Sequence, residues 1–298
     1  MNDPTNSHAM PRRQFVSLSA IGTAALLAGG GAAGSPAVAA GPVGGDPAPG
    51  ACLTPPPPGG ANPCPPAALQ SLCGSPADND PLWRDVQSCT GGNPGPNCLN
   101  VTQNYVVLHG RPETQHNYLL LPTCRIKGIE CPFISTSAAA NYWSDAWENA
   151  RSTGSVPVRY PNIGLGINSQ IARRLNQLHI HMAGVRPSTQ RRLQDLETMN
   201  RLATQPAQWA SPQYQVAVTG SGGDRTYRAL RLPNLSQNLF TLLSRYVVAP
   251  NGLDMGNQTL VVVPKMNAAG FAGAFYVLNS DSSLHDGTST CDHLLVYS

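Results

Sequence analysis

Charge is scarce in this chain. Only 12% of its 298 residues are charged and the net charge is +3, too weak a field to argue for nucleic acid as a partner. No block of like charges occurs, so a polybasic membrane patch is absent too. Lysine is nearly missing: Lys127 and Lys265 are the only two. The cationic side chains are therefore arginines, whose planar donor fork suits phosphate, although arginine can also be a compositional habit. There is no Cys-x-x-Cys, which weakens the zinc-ribbon and thioredoxin readings. Beyond the N-terminal forty residues, no apolar run is long enough to cross a bilayer.

What is present begins at the N-terminus. Arg12-Arg13 precedes an apolar run containing Phe15, Val16, Leu18, Ile21, Leu26 and Leu27, and Ala37-Val38-Ala39 has the small-x-small form of a cleavage site. A charged start, a short apolar stretch and a small-residue site make an export signal. The adjacent arginines followed by Gln-Phe-Val resemble a bacterial twin-arginine signal. The expectation is an exported protein of the cell envelope or exterior, with an uncleaved signal acting as anchor the alternative.

Export makes the eight cysteines legible as disulfide formers. Cys89 and Cys98 bracket the turn-rich "TGGNPGPN", and Cys124 and Cys131 bracket "RIKGIE"; each pair is a candidate bridge. Seventeen of the 28 prolines fall in the first 100 residues, so folding is expected to start late. The expected organisation is a signal over 1–40, a Pro/Gly-rich linker over 41–68, a catalytic unit over 69–203 and a C-terminal α+β unit over 204–298 packed on it as one body.

Periodicity places strands at Asn104–Gly110, His116–Ile126, Asn162–Gln170 and Gln177–Val185, the first two as a hairpin. Helices are expected over 135–152, over 188–203 and over 235–247. Further strands are suggested by "YQVAV", "TYRALRL", "QTLVVVPK", "AGAFYVLN" and "DHLLVYS". Without a steady βαβ rhythm, this mixture predicts an α+β fold built on an antiparallel sheet with flanking helices.

The stretch "QLHIHMAGVRP" carries the chemistry. On a strand, Gln177, His179 and His181 share one face at about 6.5 Å spacing, while Leu178, Ile180 and Met182 face the core. Three readings compete. The pair can be two partly exposed histidines, or two ligands of a metal whose third ligand (His109, His116 or His293) no spacing selects. Or an imidazole can attack phosphorus, with its neighbours contacting phosphate oxygens. Arg173, Arg174 and Arg186 flank the pair and suit a phosphate-bearing substrate, which favours the third reading.

At this point the residues resemble a family. "NSQIARRLNQLHIHMAGVRP" resembles the histidine-triad region of nucleotide hydrolases and transferases, with Gln177 where that pattern has its first histidine. The ordered set "YVVLHG", "NYLLLPTCRIKGIECP", "YWSDAWENAR", "INSQ" and "LHIHMAGVRP" is similar to the CDP-diacylglycerol pyrophosphatase branch, over about residues 89–192.

The resemblance implies a histidine-triad-like fold and cleavage of CDP-diacylglycerol to CMP and phosphatidate through a nucleotidyl-histidine. It implies His179 as nucleophile, with His181 and Gln177 orienting the transferring group. Asn168 matches the upstream asparagine and Arg125 the arginine after Pro-Thr-x; both, with Arg174, are expected to contact substrate. The chemistry so implied calls for no metal or cofactor, since the nucleophile is a side chain. A membrane surface is an expected partner because the substrate is a lipid; the oligomeric state is left open. Rival readings are an exported hydrolase of soluble nucleotide diphosphates, a metal-dependent phosphoesterase and a non-catalytic nucleotide-binding protein. Leu260–Pro264, Asn279 and His293 also come in the order of Leu119–Pro122, Asn168 and His179, which suggests a second, degenerate histidine-triad-like unit.

Overall fold

Alternating β-branched and aromatic segments build one large sheet in this chain. The computed structural model describes residues 71–297 except 93, 113–114 and 158–161, so the expected signal and linker lie outside the described residues. The described chain falls within one contact unit beginning at Cys52.

In chain order the main elements are α1 (Pro81–Thr90), β1 (Cys98–Val101), β2 (Tyr105–His109), β3 (Tyr118–Pro122), α2 (Tyr142–Ala150), β4 (Ile163–Ile167), β5 (Ile180–Val185) and α3 (Pro187–Thr198). They continue with β6 (Gln215–Gly220), β7 (Gly223–Leu232), α4 (Leu239–Leu243), β8 (Thr259–Asn267), β9 (Gly270–Ser280) and β10 (Leu295–Val296). The ten strands form one antiparallel sheet in the order β1-β2-β3-β5-β4-β8-β9-β7-β6, with β10 on β5. The α+β architecture with an antiparallel sheet is as expected.

The topology repeats itself. β2-β3-α2-β4-β5 gives the spatial order 2-3-5-4, and β6-β7-α4-β8-β9 gives 6-7-9-8. The two sets meet at a β4–β8 seam, with Leu165 opposite Val262 and Ile167 opposite Leu260. β8 therefore takes the place of β4, and β9 that of β5. This is one strand displaced from the correspondence suggested by the apolar runs, which set Leu260–Pro264 against Leu119–Pro122.

Period-two alternation divides the side chains between the faces. Ile180, Met182, Leu165, Val262 and Val277 join the larger core beneath α2 and α4, where Trp143 and Phe240 are fully buried. Ala183, Val185, Val261 and Tyr276 lie on the other face beneath Leu193 and Leu196 of α3. A third cluster seats Leu82, Trp83 and Val86 of α1 on Val106, Leu108 and Leu119.

Several expected boundaries shift. α2 starts seven residues later than the 135 expected, because Asn141 caps it, accepting from Ser144 N, and Pro132–Ser135 forms a separate 3-10 turn. "DHLLVYS" is strand only at Leu295–Val296, after a 3-10 turn over Cys291–His293. The helix over 235–247 narrows to Leu239–Leu243 and continues as one π-helical turn, Ser244–Val248. α1 and β1 were not among the expected elements.

Cys89–Cys98 is bridged as expected. Cys124–Cys131 is not: Cys131 pairs with Cys73, and Cys124 is disulfide-bonded elsewhere. Short sequence separation favoured the wrong pair. Cys131 lies in the turn that leads into Pro132–Ser135, and that turn packs against Ser71–Cys73.

β4 carries glycine at two positions where a side chain would collide with a neighbour. A Cβ on Gly166 would meet Cys291 Cβ at 2.6 Å, and one on Gly164 would meet Val185 Cγ2 at 2.6 Å and Leu295 Cδ2 at 3.0 Å. Bare backbone here lets the C-terminal segment lie against the sheet. β10 then pairs with β5 at Val185 and Gly184, just past the residues that β3 pairs, Ile180 to Met182.

Candidate active site

The histidine stretch enters β5 one residue before His181. Leu178, Ile180 and Met182 point into the core, and His179 and His181 point to the other face, as alternation requires. There they line a cavity of about 690 Å³ together with Asn117, Asn168, Arg174, Asp292 and Tyr297. α1, the Cys89–Cys98 bridge, Leu108 and Leu119 supply an apolar flank.

The two imidazoles are held differently. His179 Nδ1 lies 2.6 Å from the backbone carbonyl of Gln177. A carbonyl only accepts, so Nδ1 carries the hydrogen and Nε2 the lone pair. His181 Nδ1 meets Asn117 Oδ1 at 3.1 Å, and its buried Nε2 has no partner. The rings stand edge to face, 4.9 Å apart between centroids. Burial depresses the pKa of both histidines; charge on His179 depresses His181 further, and nearby Arg173 also depresses His179. Both are neutral at neutral pH, the state a nitrogen nucleophile needs.

Asn168 accepts from the backbone N–H of Cys291 through Oδ1 at 2.8 Å, which ties the end of β4 to the C-terminal turn. Arg173 is paired with Glu130 at 2.5 Å, while Arg174 makes no ion pair among the described residues and faces the cavity. Tyr297 donates to Asp292 Oδ1 at 2.5 Å. Burial, with Cys291 and Asp292 nearby, pushes the Tyr297 phenol well up, so it remains a donor.

Four of the six expected site residues thus share the cavity: His179, His181, Asn168 and Arg174. Gln177 and Arg125 stand behind it. Gln177 is fully buried and its amide donates to Pro122 O at 3.0 Å and Cys124 O at 2.9 Å. Its Oε1 accepts from Arg125 Nη1 at 3.0 Å and Ile126 N at 3.4 Å. Arg125 also bonds Asn176 O and pairs with Asp78 at 3.0 Å. Both side chains brace the segment that delivers His179.

His293, one of the histidines open as a third metal ligand, turns away to Tyr227 and Gly223. His109 lies at the cavity but stacks on Tyr118 and bonds Gln115 O. Sequence reasoning missed Asn117, Asp292 and Tyr297. Asn117 had a usable signal, since it immediately precedes β3, which pairs beside His181 through Leu119. Nothing local marked Asp292 or Tyr297, more than 100 residues away.

Comparison with known proteins matches residues 77–295 to the family described as CDP-diacylglycerol pyrophosphatase. A Yersinia pestis protein named CDP-diacylglycerol pyrophosphatase is 37% identical over 119 residues, covering 36% of this chain and 45% of that protein. A Mycobacterium leprae protein named as a probable CDP-diacylglycerol pyrophosphatase is 29% identical over 201 residues, covering 57% of this chain and 74% of its own length. A Mycobacterium tuberculosis protein named CDP-diacylglycerol pyrophosphatase is 33% identical over 133 residues, covering 41% and 50%. The matched stretch thus spans less than half of the Yersinia relative and half of this Mycobacterium tuberculosis one.

Proposed function

The chain belongs to the CDP-diacylglycerol pyrophosphatase family, and we propose that it hydrolyses CDP-diacylglycerol to CMP and phosphatidate at the His179–His181 cavity. The observation that carries the mechanism is the 2.6 Å contact between His179 Nδ1 and the Gln177 carbonyl. It fixes the tautomer that leaves Nε2 of a neutral imidazole as nucleophile.

In this reading, His179 Nε2 attacks the cytidine-side phosphorus. A P–N bond forms, the P–O bond to the second phosphate breaks, and phosphatidate leaves. Water then attacks the cytidylyl-histidine, the P–N bond breaks, and CMP departs with the imidazole restored. His181, steadied by Asn117, faces the transferring group, where negative charge shifts toward the leaving oxygen. Arg174 supplies positive charge at the cavity and Asn168 an amide. Gln177 and Arg125 act through position, not contact.

A histidine-triad-like ancestry fits this chemistry, and the repeated strand order supports a second, degenerate unit over β6–β9. Residues 69–203 then supply the histidines, and the later strands complete the body. We further propose export by the N-terminal signal and action at a membrane surface, where a diacyl substrate resides. No described helix is long and apolar enough to cross a membrane.

Brief incubation with substrate labelled in its cytidine phosphate, then denaturation and peptide mapping, is expected to place the label on His179. His179→Ala is expected to abolish CMP release while retaining the native circular dichroism. Substantial turnover by that variant sinks the nucleophile assignment, and release of CMP with no trappable label argues for direct attack by water.

A further inference from the structure

Beside the cavity lies a second constellation, which shares His181 with the hydrolytic site and adds residues that the hydrolytic reading does not use. A ring nitrogen of His181, the thiol of Cys291 and a carboxylate oxygen of Asp292 all lie within 4.8 Å of one another. We propose that these three residues form a binding site for a thiophilic divalent cation, zinc above all, and that its occupancy inhibits the enzyme.

Features of two of the residues support the site. His181 is nine-tenths buried, its Nδ1 is engaged by Asn117, and its Nε2 has no partner, so one lone pair is free for a metal. Cys291 is the only free cysteine among the described residues, and it is fully buried. Gly166 makes room for it, since a Cβ there would lie 3.0 Å from Cys291 Sγ. The backbone around it is fixed, with Cys291 N bonded to Asn168 and Sγ 3.8 Å from Asp292 Oδ1.

The donor set selects the ion. A thiolate, an imidazole and a carboxylate suit zinc, whereas magnesium and calcium prefer oxygen alone. Thiolate and carboxylate together neutralise a dication, which matters in a buried place. Zinc bonds of about 2.0–2.3 Å require the donors to close in slightly, and Asp292, the exposed member, has freedom to do so. Binding releases the Cys291 thiol proton to solvent and breaks the bond from Tyr297 to Asp292. Three protein ligands leave a fourth position for water or a substrate oxygen.

The site itself needs no assumption about the reaction. Its inhibitory consequence rests on the role proposed for His181, whose free nitrogen the metal takes. Cobalt(II) serves as the probe on the full purified chain. A thiolate-to-cobalt charge-transfer band is expected, displaced by zinc and absent in Cys291→Ser. Asp292→Asn, which keeps the side-chain size at the exposed member, is expected to weaken zinc binding by about ten-fold or more. Zinc is expected to slow CMP release reversibly, and Cys291→Ser to resist it while keeping its metal-free rate. No band with the unmodified chain, a band that survives Cys291→Ser, or unchanged zinc affinity in Asp292→Asn overturns the site. Metal binding without inhibition overturns only the consequence drawn from His181, and a chain that binds cobalt but never hydrolyses the lipid tells against the proposed function alone.

Discussion

Gln177→Leu separates two roles that the sequence alone could not: substrate contact and support. Leucine is close in volume but removes all four hydrogen bonds of the buried amide. Arg125 keeps its bonds to Asn176 and Asp78, so its charge stays paired. The carbonyls of Pro122 and Cys124 lose the amide, at a cost of about 1–3 kcal/mol for each buried group left unsatisfied. The Ile126 contact, at 3.4 Å, adds little. The expected loss is about 2–6 kcal/mol, read by urea denaturation monitored through tryptophan fluorescence with disulfides intact. The carbonyl that orients His179 belongs to the same residue, so kcat is expected to fall about ten- to a hundred-fold. KM is expected to hold, because Gln177 does not line the cavity. Steady-state CMP release from substrate in detergent micelles measures both constants. A variant of native stability with a raised KM refutes the reasoning and returns Gln177 to the substrate.

pH gives another test. His179 and His181 are held neutral by burial in the folded state, whereas unfolded they titrate near 6.5. The unfolded chain therefore binds more protons below that value, and stability is expected to fall with pH there, by up to about 1.4 kcal/mol per unit for each histidine kept neutral. Denaturation at several pH values should show a shallower slope in the His179→Ala/His181→Ala double variant. Loop lengths rank the disulfides: with separations of 58 and 9 residues, replacing Cys73 and Cys131 by serine is expected to cost about 4 kcal/mol and replacing Cys89 and Cys98 about 2.5 kcal/mol. The second change should also raise KM, since that bridge borders the cavity. Gly166→Ala is expected to lower stability by about 1–3 kcal/mol through its contact with Cys291 Cβ. Adding Cys291→Gly should restore part of the loss in the same denaturation assay, and no restoration would mean that the strain lies elsewhere.

Most strands were legible because their periodicity is local. "NYVVLHG" and "HIHMAGV" alternate or run apolar over enough residues to announce both a strand and its inward face. α1 was legible too, in hindsight: Asp80 before Pro81 is a cap and a first-turn proline, and Asp80 does accept from Leu82 and Trp83. The polar roles were harder. Gln177 looked like a site residue because it lies beside the histidines in sequence, and Arg125 because it matches the family's arginine after Pro-Thr-x. Their burial depends on the turn after β3, which no local rule reveals. Asp292 and Tyr297 were beyond reach for a different reason, since only the pairing of β10 with β5 brings them to the cavity.

That pairing has a counterpart across the seam. The segment after β5 becomes α3, and α3 packs over the other set of strands: Leu193 and Leu196 lie with Val216, Val218 and Val263, and Glu197 bonds Tyr276 and Lys265. The segment after β9 crosses the other way. It bonds Asn168, lies on Gly164 and Gly166, and ends as β10 beside β5. Each set of strands is thus covered by the tail of the other. On the β6–β9 side, α3 fills the face with apolar side chains and the Glu197 ion pairs to Arg231 and Lys265. On the β2–β5 side, the covering segment is short and polar at its tip, so the face stays open at His179 and His181. The asymmetry between a filled face and an open one therefore comes from what the two tails carry. This is why the cavity needs residues from both ends of the folded region.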